Sequence, residues 1–356
     1  MKNNKAIIKI GRKKIGRSQP VFVVAEMSGN HNHSFARAEE IVKAAARAGA
    51  DAIKLQTYTP DTITLNCDNK WFRVKSRNKR WRGKTLYQLY KEAYTPWDWQ
   101  PKLKKIAESL GLVFFSTPFD ETAVDFLEKI KTPAYKIASF EIGDLELLQR
   151  VGKTRKPVII SRGMADEKEI ELALKTLKKA GAGNIALLHC VSSYPARPED
   201  MNLTTIPWLA GRFKTIIGLS DHTLSVEIPV AAAALGARII EKHLTLRRQD
   251  GGPDADFSLE SEEFGRMVKG IRETERALGT PRKKSVSAEK YDQKSRRSLF
   301  AVKDIERGEK FTRDNVRSLR PGYGLPPAEL HRVLNSHAAR FIRRGTPLAE
   351  KHLIGG

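Results

Sequence analysis

The chain has 356 residues, 40% of them hydrophobic and 29% charged, with a formal net charge of +23. This composition excludes a wholly disordered chain, and no apolar run reaches the ~18–20 residues that a membrane-spanning helix needs. The positive charge is dispersed: residues 281–356 hold 18 Lys and Arg against 8 Asp and Glu, and no zinc-finger spacing or RNA-binding aromatic motif accompanies it. A basic surface that draws in anionic substrates is therefore expected, with no nucleic-acid or membrane partner. The basic segment MKNNKAIIKIGRKKIGRSQP (1–20) lacks a signal peptide's apolar core, and two cysteines, Cys67 and Cys190, give no disulfide framework. A cytoplasmic location follows as an expectation.

In chain order, short apolar runs alternate with helical patterns. The runs are VFVVAE (21–26), DAIKLQT (51–57), LVFFST (112–117), AYKIAS (134–139), PVIIS (157–161), IALLHC (185–190), TIIGLS (215–220) and ARIIEKH (237–243). Helical periodicity covers 34–48, 97–110, 120–130, 144–152, 166–180, 225–236 and 258–278, while 191–214 is less clearly helical. Runs that are apolar along their whole length suit parallel strands buried on both faces. Eight such units predict a (β/α)8 barrel over residues 1–279; a doubly wound open sheet is the alternative, weakened because no G-x-G-x-x-G follows a strand. The stretch 58–96 is long for a βα loop. Four of the five tryptophans fall at 71–99, either as a small core beneath that loop or as a wall against a ligand's apolar groups. A polar linker is expected at 280–297, then a small domain at 298–356 with short strands and a short helix at 327–335.

The strand ends carry the chemistry. They finish in Glu26, Lys54 with Gln56, Ser116 with Thr117, Lys136 with Ser139, Ser161, His189, Ser220 with Asp221 and His222, and Glu241 with His243. A barrel gathers such ends at one face, where active sites lie. His222 and His243, on neighbouring ends, can share a divalent metal, with Glu141 supplying a carboxylate directly or through water. His189 lies one strand further round and reads as core or as support for the site. Lys54 and Lys136 need partners, since a bare buried ammonium is costly. Either they pair with Glu26 or Glu141, or, with Thr117, Ser139, Ser161 and Ser220, they form a cradle for phosphate or carboxylate. Arg162 is a further possible anion contact. A Schiff-base aldolase using one lysine is a rival, which the paired histidines count against.

The segments AEMSGNHNHS, IKLQTYTPDTITL, FFSTPFD, PAYKIASFEIGDLELL, IISRGMA, LLHCVSSYP, IGLSDHT, EKHLTL and GGPDADFSL occur in this order. They resemble the sialic acid synthases, which condense phosphoenolpyruvate with an N-acetylated sugar. RRSLFAVKDIERGEKFTRDNVRSLRPGYGL resembles the antifreeze-like (SAF) domain that ends those enzymes, so the resemblance covers about 20–350. KTLYQLYKEAYTPWDW (84–99) and QTYTPDTITL are most similar to the branch of the family that makes pseudaminic acid. This implies 2,4-diacetamido-2,4,6-trideoxy-L-altrose as the acceptor. Its alternatives are the N-acetylneuraminate and N,N'-diacetyllegionaminate branches and, more distantly, a non-enzymatic carbohydrate-binding protein.

The resemblance implies a divalent cation (Mn2+, Co2+ or Mg2+) on His222 and His243 with Glu141 beside it. It implies phosphoenolpyruvate contacts at Lys54, Thr117, Lys136, Ser139, Ser161 and Ser220. Glu26, Gln56, Tyr194 and Asp254 fall on sugar-side positions, with Glu26, Glu141, Lys54 and Lys136 as the catalytic groups. Arg320, in RPGYG, matches an arginine delivered to the partner's site in a domain-swapped homodimer. Arg162 stands where the family pattern carries Thr, and Ser192 where the neuraminate branch carries Asn. In the implied reaction the metal polarises the aldehyde, C3 of phosphoenolpyruvate attacks it, water adds at C2 and phosphate leaves.

Overall fold

A computed structural model describes residues 7–76, 78–279, 286 and 289–355. The chain divides into two units, Met1–Gly279 and Thr280–Gly356. Within the expected linker, 280–285, 287 and 288 lie outside the described residues.

The first unit opens with a hairpin of β1 (Ile8–Ile10) and β2 (Lys13–Ile15). Eight strands follow: β3 (Phe22–Glu26), β4 (Ala52–Thr57), β5 (Val113–Pro118), β6 (Tyr135–Ile137), β7 (Val158–Ser161), β8 (Ile185–Cys190), β9 (Ile216–Asp221) and β10 (Ile239–Thr245). They pair in sequence order, all parallel, and β10 pairs with both β9 and β3. The sheet is therefore a closed eight-stranded barrel, which excludes the open doubly wound alternative. Gly218 marks how tightly it closes: a Cβ there would lie 2.5 Å from the Ile239 carbonyl oxygen.

Helices, most of them amphipathic, wrap the outside, and each predicted helical stretch contains one. They include α1 (Phe35–Arg47), α2 (Pro60–Ile63), α3 (Leu86–Ala93), α4 (Gln100–Ser109), α5 (Glu121–Lys129), α6 (Leu145–Lys153) and α7 (Glu167–Ala180). After α8 (Thr205–Phe213) and α9 (Glu227–Ala234), α10 (Ser261–Leu278) completes the set. Their local signals are explicit. In α7, Asp166 and Glu169 form a capping box at the start, and Gly181 takes the left-handed conformation at the end. Elements outside the sequence reading include α2 and α3, both within the long 58–96 segment, and the N-terminal hairpin. The hairpin's Ile8, Ile10 and Ile15 share one core cluster with the barrel's inward residues Phe22, Val24, Val113 and Phe115. Among the described residues no helix is long and apolar enough to cross a membrane.

The second unit pairs β12 (Ser298–Ala301) with β13 (Val316–Leu319) around its own core, which includes Leu299, Phe311, Val316, Ile342 and Leu348. A 3-10 turn at Pro327–Glu329 and the short helix Leu330–Leu334 occupy the predicted 327–335 stretch.

Candidate active site

Alternation along the strands decides which strand-end groups enter the barrel. Val24, Ala52, Phe115, Ala134, Ile159, Leu188 and Ile239 belong to the interior cluster. Two residues further on, the same face reaches Glu26, Lys54, Thr117, Lys136, Ser161, Cys190 and Glu241, all buried. Apolar below and ionic above, the interior has its charged layer at the C-terminal mouth.

That layer is one network. Lys54 forms a salt bridge with Glu26, lies 3.8 Å from Glu241, and donates to Thr117 Oγ1 at 3.2 Å. Lys136 donates to Ser161 Oγ at 2.8 Å and to the Ile137 carbonyl at 3.0 Å, and lies 3.9 Å from Glu241. Ser220 donates to Glu241 Oε1 at 3.0 Å, while Glu241 Oε2 has no partner. Glu241 thus ties both lysines together. The sequence reading noted it as a strand end but gave it no role; its place two residues after inward Ile239 was the available signal. Burial pushes the Glu26 carboxyl up to about 7 against the pull of Lys54. Burial would also lower Lys54, but Glu241 and Glu26 outweigh it and raise its pKa. For Lys136 burial prevails and the pKa falls.

His222, just past β9, and His243, in β10, stand with ring centroids 5.5 Å apart. The Val191 carbonyl can only accept, so His222 Nδ1, 3.0 Å away, carries the proton and Nε2 presents a lone pair. Burial lowers the His222 pKa to about 4 and that of His243 well below its usual value, so both rings are neutral. His243 Nδ1 is buried without a partner. Two neutral imidazoles with unspent nitrogens are a donor pair that fits a divalent cation. Tyr194 packs on His222 at 4.4 Å, and Phe257 on His243 at 4.8 Å. Trp81 lies 5.5 Å from the Tyr194 ring and donates to the Pro253 carbonyl at 2.6 Å. Asp254, buried and raised in pKa by that burial, accepts from Gly29 N–H at 3.1 Å. The long loop thus holds the expected small core and also reaches the mouth. Tyr58, Tyr90 and Phe119 pack together as a small core, and Trp81 walls the histidine side of the mouth.

Ser139 and Ser192, from the loops after β6 and β8, share a hydrogen bond of 2.8 Å. Gly163 makes this approach possible, because a Cβ there would lie 2.4 Å from Ser139 Cβ. Gln56 is half-buried at the mouth, opposite Thr117 in strand register.

Three expectations need correction, at Ser116, Asp221 and Glu141. Ser116 and Asp221 face away from the axis, as does His189, in keeping with its reading as core. Ser116 contacts Thr57 Oγ1 at 2.7 Å, His189 Nε2 donates to the Met201 carbonyl at 2.6 Å, and Asp221 pairs with Lys242. Each sits one residue out of phase with the inward set. Glu141 does not join the histidines as a direct third ligand: among the described residues, no group of three His, Cys, Asp or Glu side chains could hold a metal. It lies in the turn after β6, three strands from β9 in barrel order, where it is buried with Oε2 unpartnered. Burial pushes its pKa up to about 7, against the pull of Lys136. Arg162 is half-buried, with one guanidinium nitrogen on the Ala165 carbonyl at 3.1 Å. Arg320 is exposed on the turn after β13 in the second unit.

Residues 41–283 match the model of the NeuB family, and residues 296–354 match that of the SAF domain. The chain is 41% identical over 330 residues to the pseudaminic acid synthase of Campylobacter jejuni, covering 93% of this chain and 96% of that one. It is 35% identical to the N,N'-diacetyllegionaminic acid synthase of Legionella pneumophila, covering 96% and 97%. Among solved structures, the N-acetylneuraminic acid synthetase of Leptospira borgpetersenii, in complex with citrate, superposes with a TM-score of 0.71 at 34% identity, covering 81% and 95%.

Proposed function

The chain belongs to the NeuB family, and on that premise we propose that it is a pseudaminic acid synthase. It would condense phosphoenolpyruvate with 2,4-diacetamido-2,4,6-trideoxy-L-altrose and release phosphate. One observation carries this reading: a single barrel mouth holds two buried lysines, Lys54 and Lys136, together with two neutral histidines, His222 and His243.

Lys54 and Lys136, with Thr117, Ser139, Ser161, Ser192 and Ser220, hold the carboxylate and phosphate of phosphoenolpyruvate. The two ammonium groups supply charge and the hydroxyls supply direction. His222 and His243 hold a divalent cation, Mn2+, Co2+ or Mg2+, which when bound supplies Lewis-acid polarisation of the sugar's carbonyl oxygen. Gln56, Tyr194, Asp254 and the Trp81 wall orient the open-chain sugar so that its C1 faces C3 of phosphoenolpyruvate. C3 attacks C1, and the positive charge that develops at C2 lies above the carboxylates of Glu26 and Glu241. Water then adds at C2 and gives its proton to Glu26 or Glu141. With pKa values near 7, these carboxyls are poised to accept a proton at neutral pH. The C1 alkoxide takes up the proton released at C2. The tetrahedral adduct then collapses to the ketone as its C–O bond to phosphate breaks and its hydroxyl proton leaves with the phosphate. Much of the rate comes from holding two reactants in line. Two free cysteines suit a reducing cytoplasm.

Arg320, exposed at the end of β13, would complete the sugar site of a partner barrel in a domain-swapped homodimer. Mixing Arg320→Ala with His222→Ala chains, with subunit exchange verified, should then regenerate activity; no recovery would remove the trans role.

The deciding experiment is phosphate release from phosphoenolpyruvate with a panel of sugars. The altrose acceptor should show the highest kcat/KM. Preference for N-acetylmannosamine or the legionaminate precursor would replace the branch assignment while keeping the chemistry. Chelation should abolish turnover and added Mn2+ restore it.

A further inference from the structure

At the barrel rim, the loops after β7 and β8 and the start of α8 border an open cavity of about 530 Å³, lined by Arg162, His189, Thr204 and Thr205 among others. Gly163 and Ser192 also line it, so it opens beside the mouth: a Cβ on Gly163 would lie 2.7 Å from Ser192 Oγ. The cavity therefore adjoins the active site and shares Cys190 and Ser192 with its rim, while His189, which points outward from β8, lines its outer part.

Two of its side chains hold polar atoms that the protein leaves unspent. Arg162 Nε and His189 Nδ1 are both buried without a partner. His189 is 5% exposed. Its Nε2 must carry the ring proton, because the Met201 carbonyl 2.6 Å away can only accept. Burial keeps the ring uncharged by lowering its pKa, so Nδ1 is a lone pair. Thr204 and Thr205 add hydroxyl donors, and the Thr204 side chain makes no cap bond to α8. Asp200, also in the lining, is ion-paired with Arg197 at 2.9 Å.

A fully deprotonated oxyanion would suit Arg162 and the hydroxyls but would face the His189 lone pair unfavourably. Hydrogen phosphate suits both, since it offers accepting oxygens and one donating O–H. We propose that this cavity is a second phosphate site, in which Arg162 Nε–H and the threonine hydroxyls donate to hydrogen phosphate and His189 Nδ1 accepts the ligand's own proton. Its use as a first stop for phosphate leaving the mouth rests on the proposed function; the binding itself does not.

The test is calorimetric titration of the full-length protein with inorganic phosphate at near-physiological ionic strength, alone and with saturating phosphoenolpyruvate. Two phosphates should bind per chain, one displaced by phosphoenolpyruvate and one resistant. Arg162→Gln should weaken the resistant phosphate at least about tenfold and leave the displaceable one, which also verifies folding. Thr204→Val should weaken the resistant phosphate by a smaller factor. Sulfate, which lacks the proton at neutral pH, should fail to displace it. A single phosphate wholly removed by phosphoenolpyruvate would overturn the proposal, as would a resistant phosphate indifferent to Arg162→Gln or displaced equally well by sulfate. If phosphoenolpyruvate displaces neither phosphate, the reading of the mouth fails, and the rim site still stands or falls on Arg162→Gln.

Discussion

Glu241 and Lys242 are consecutive on β10, and both are buried, on opposite faces of the barrel wall. Outside, Lys242 and Asp221 form an ion pair with both side chains 0% exposed. Lys242 also donates to the Thr223 carbonyl and, at 3.4 Å, to that of Ser225, while Asp221 accepts from Thr223 N–H at 2.9 Å. Inside, Glu241 Oε2, Glu141 Oε2 and His243 Nδ1 have no partner. Equal burial therefore accompanies opposite bookkeeping of polar atoms: the outer pair is closed by its own bonds, and the inner network is left open. A buried group with unspent bonds costs stability unless a ligand completes it. The open face is thus where substrate belongs, and the closed face is scaffold.

The sharpest way to break this contrast is the same substitution on the two faces. Lys54→Met should lower kcat/KM by about 10³ while shifting the unfolding free energy little. Glu26, already at a pKa of about 7, can take up a proton when its partner is removed. Lys242→Met should do the reverse. It strands Asp221 as a lone buried charge, at a cost of about 3–5 kcal/mol by urea denaturation. Adding Asp221→Asn to Lys242→Met should return part of that stability. If Lys54→Met destabilises as much as Lys242→Met, the division into open and closed faces is wrong.

Much of this was legible before the structure. Parallel strands buried on both faces leave near-continuous apolar runs, so each of the eight barrel strands coincides with a predicted stretch, five lying wholly inside it and β5, β9 and β10 running one or two residues past its end. The ends were harder to read, since a polar strand end says nothing of direction. Counting in steps of two from the apolar interior separates Glu241 from Lys242 and Thr117 from Ser116, but it needs the register that only the closed sheet supplies. Helix α3 was hidden within a segment taken as loop, although Thr85 and Gln88 form a capping box visible in TLYQ. Glu141 shows what local reading cannot reach, because its distance from the histidines is set by barrel geometry.

A third test uses a histidine closed by its own bonds. His31 Nδ1 accepts from His33 N–H at 3.1 Å and Nε2 meets Thr95 Oγ1 at 3.1 Å, tying the end of β3 to the segment before α4. Burial lowers its pKa to about 3. The unfolded chain therefore binds more protons between pH 6.5 and 3, and stability must fall as pH falls through that window. His31 should contribute about 2 kcal/mol less at pH 5 than at pH 7, read as the difference between wild type and His31→Gln in denaturation at the two pH values. A pH-independent difference would mean that the ring is not held neutral by its surroundings.

The smallest expected effect lies within the aromatic loop, where two tryptophans ten residues apart repeat the contrast. Trp81 spends its N–H on the Pro253 carbonyl and sets its ring 5.5 Å from Tyr194 and 5.9 Å from Phe257, so it is fixed in place beside the histidines. Trp71 is 75% exposed, with Lys70 over its ring at 4.8 Å. A fixed ring can stack on a sugar's apolar substituents at little entropic cost, whereas a solvated one must first be ordered. Trp81→Ala should therefore raise the KM for sugar by about tenfold, the equivalent of 1.4 kcal/mol, and leave the KM for phosphoenolpyruvate nearly unchanged. Trp71→Ala should change neither. Steady-state kinetics with each substrate varied in turn decides the matter: equal effects on both KM values would make Trp81 a prop for the whole mouth instead of a wall for the sugar.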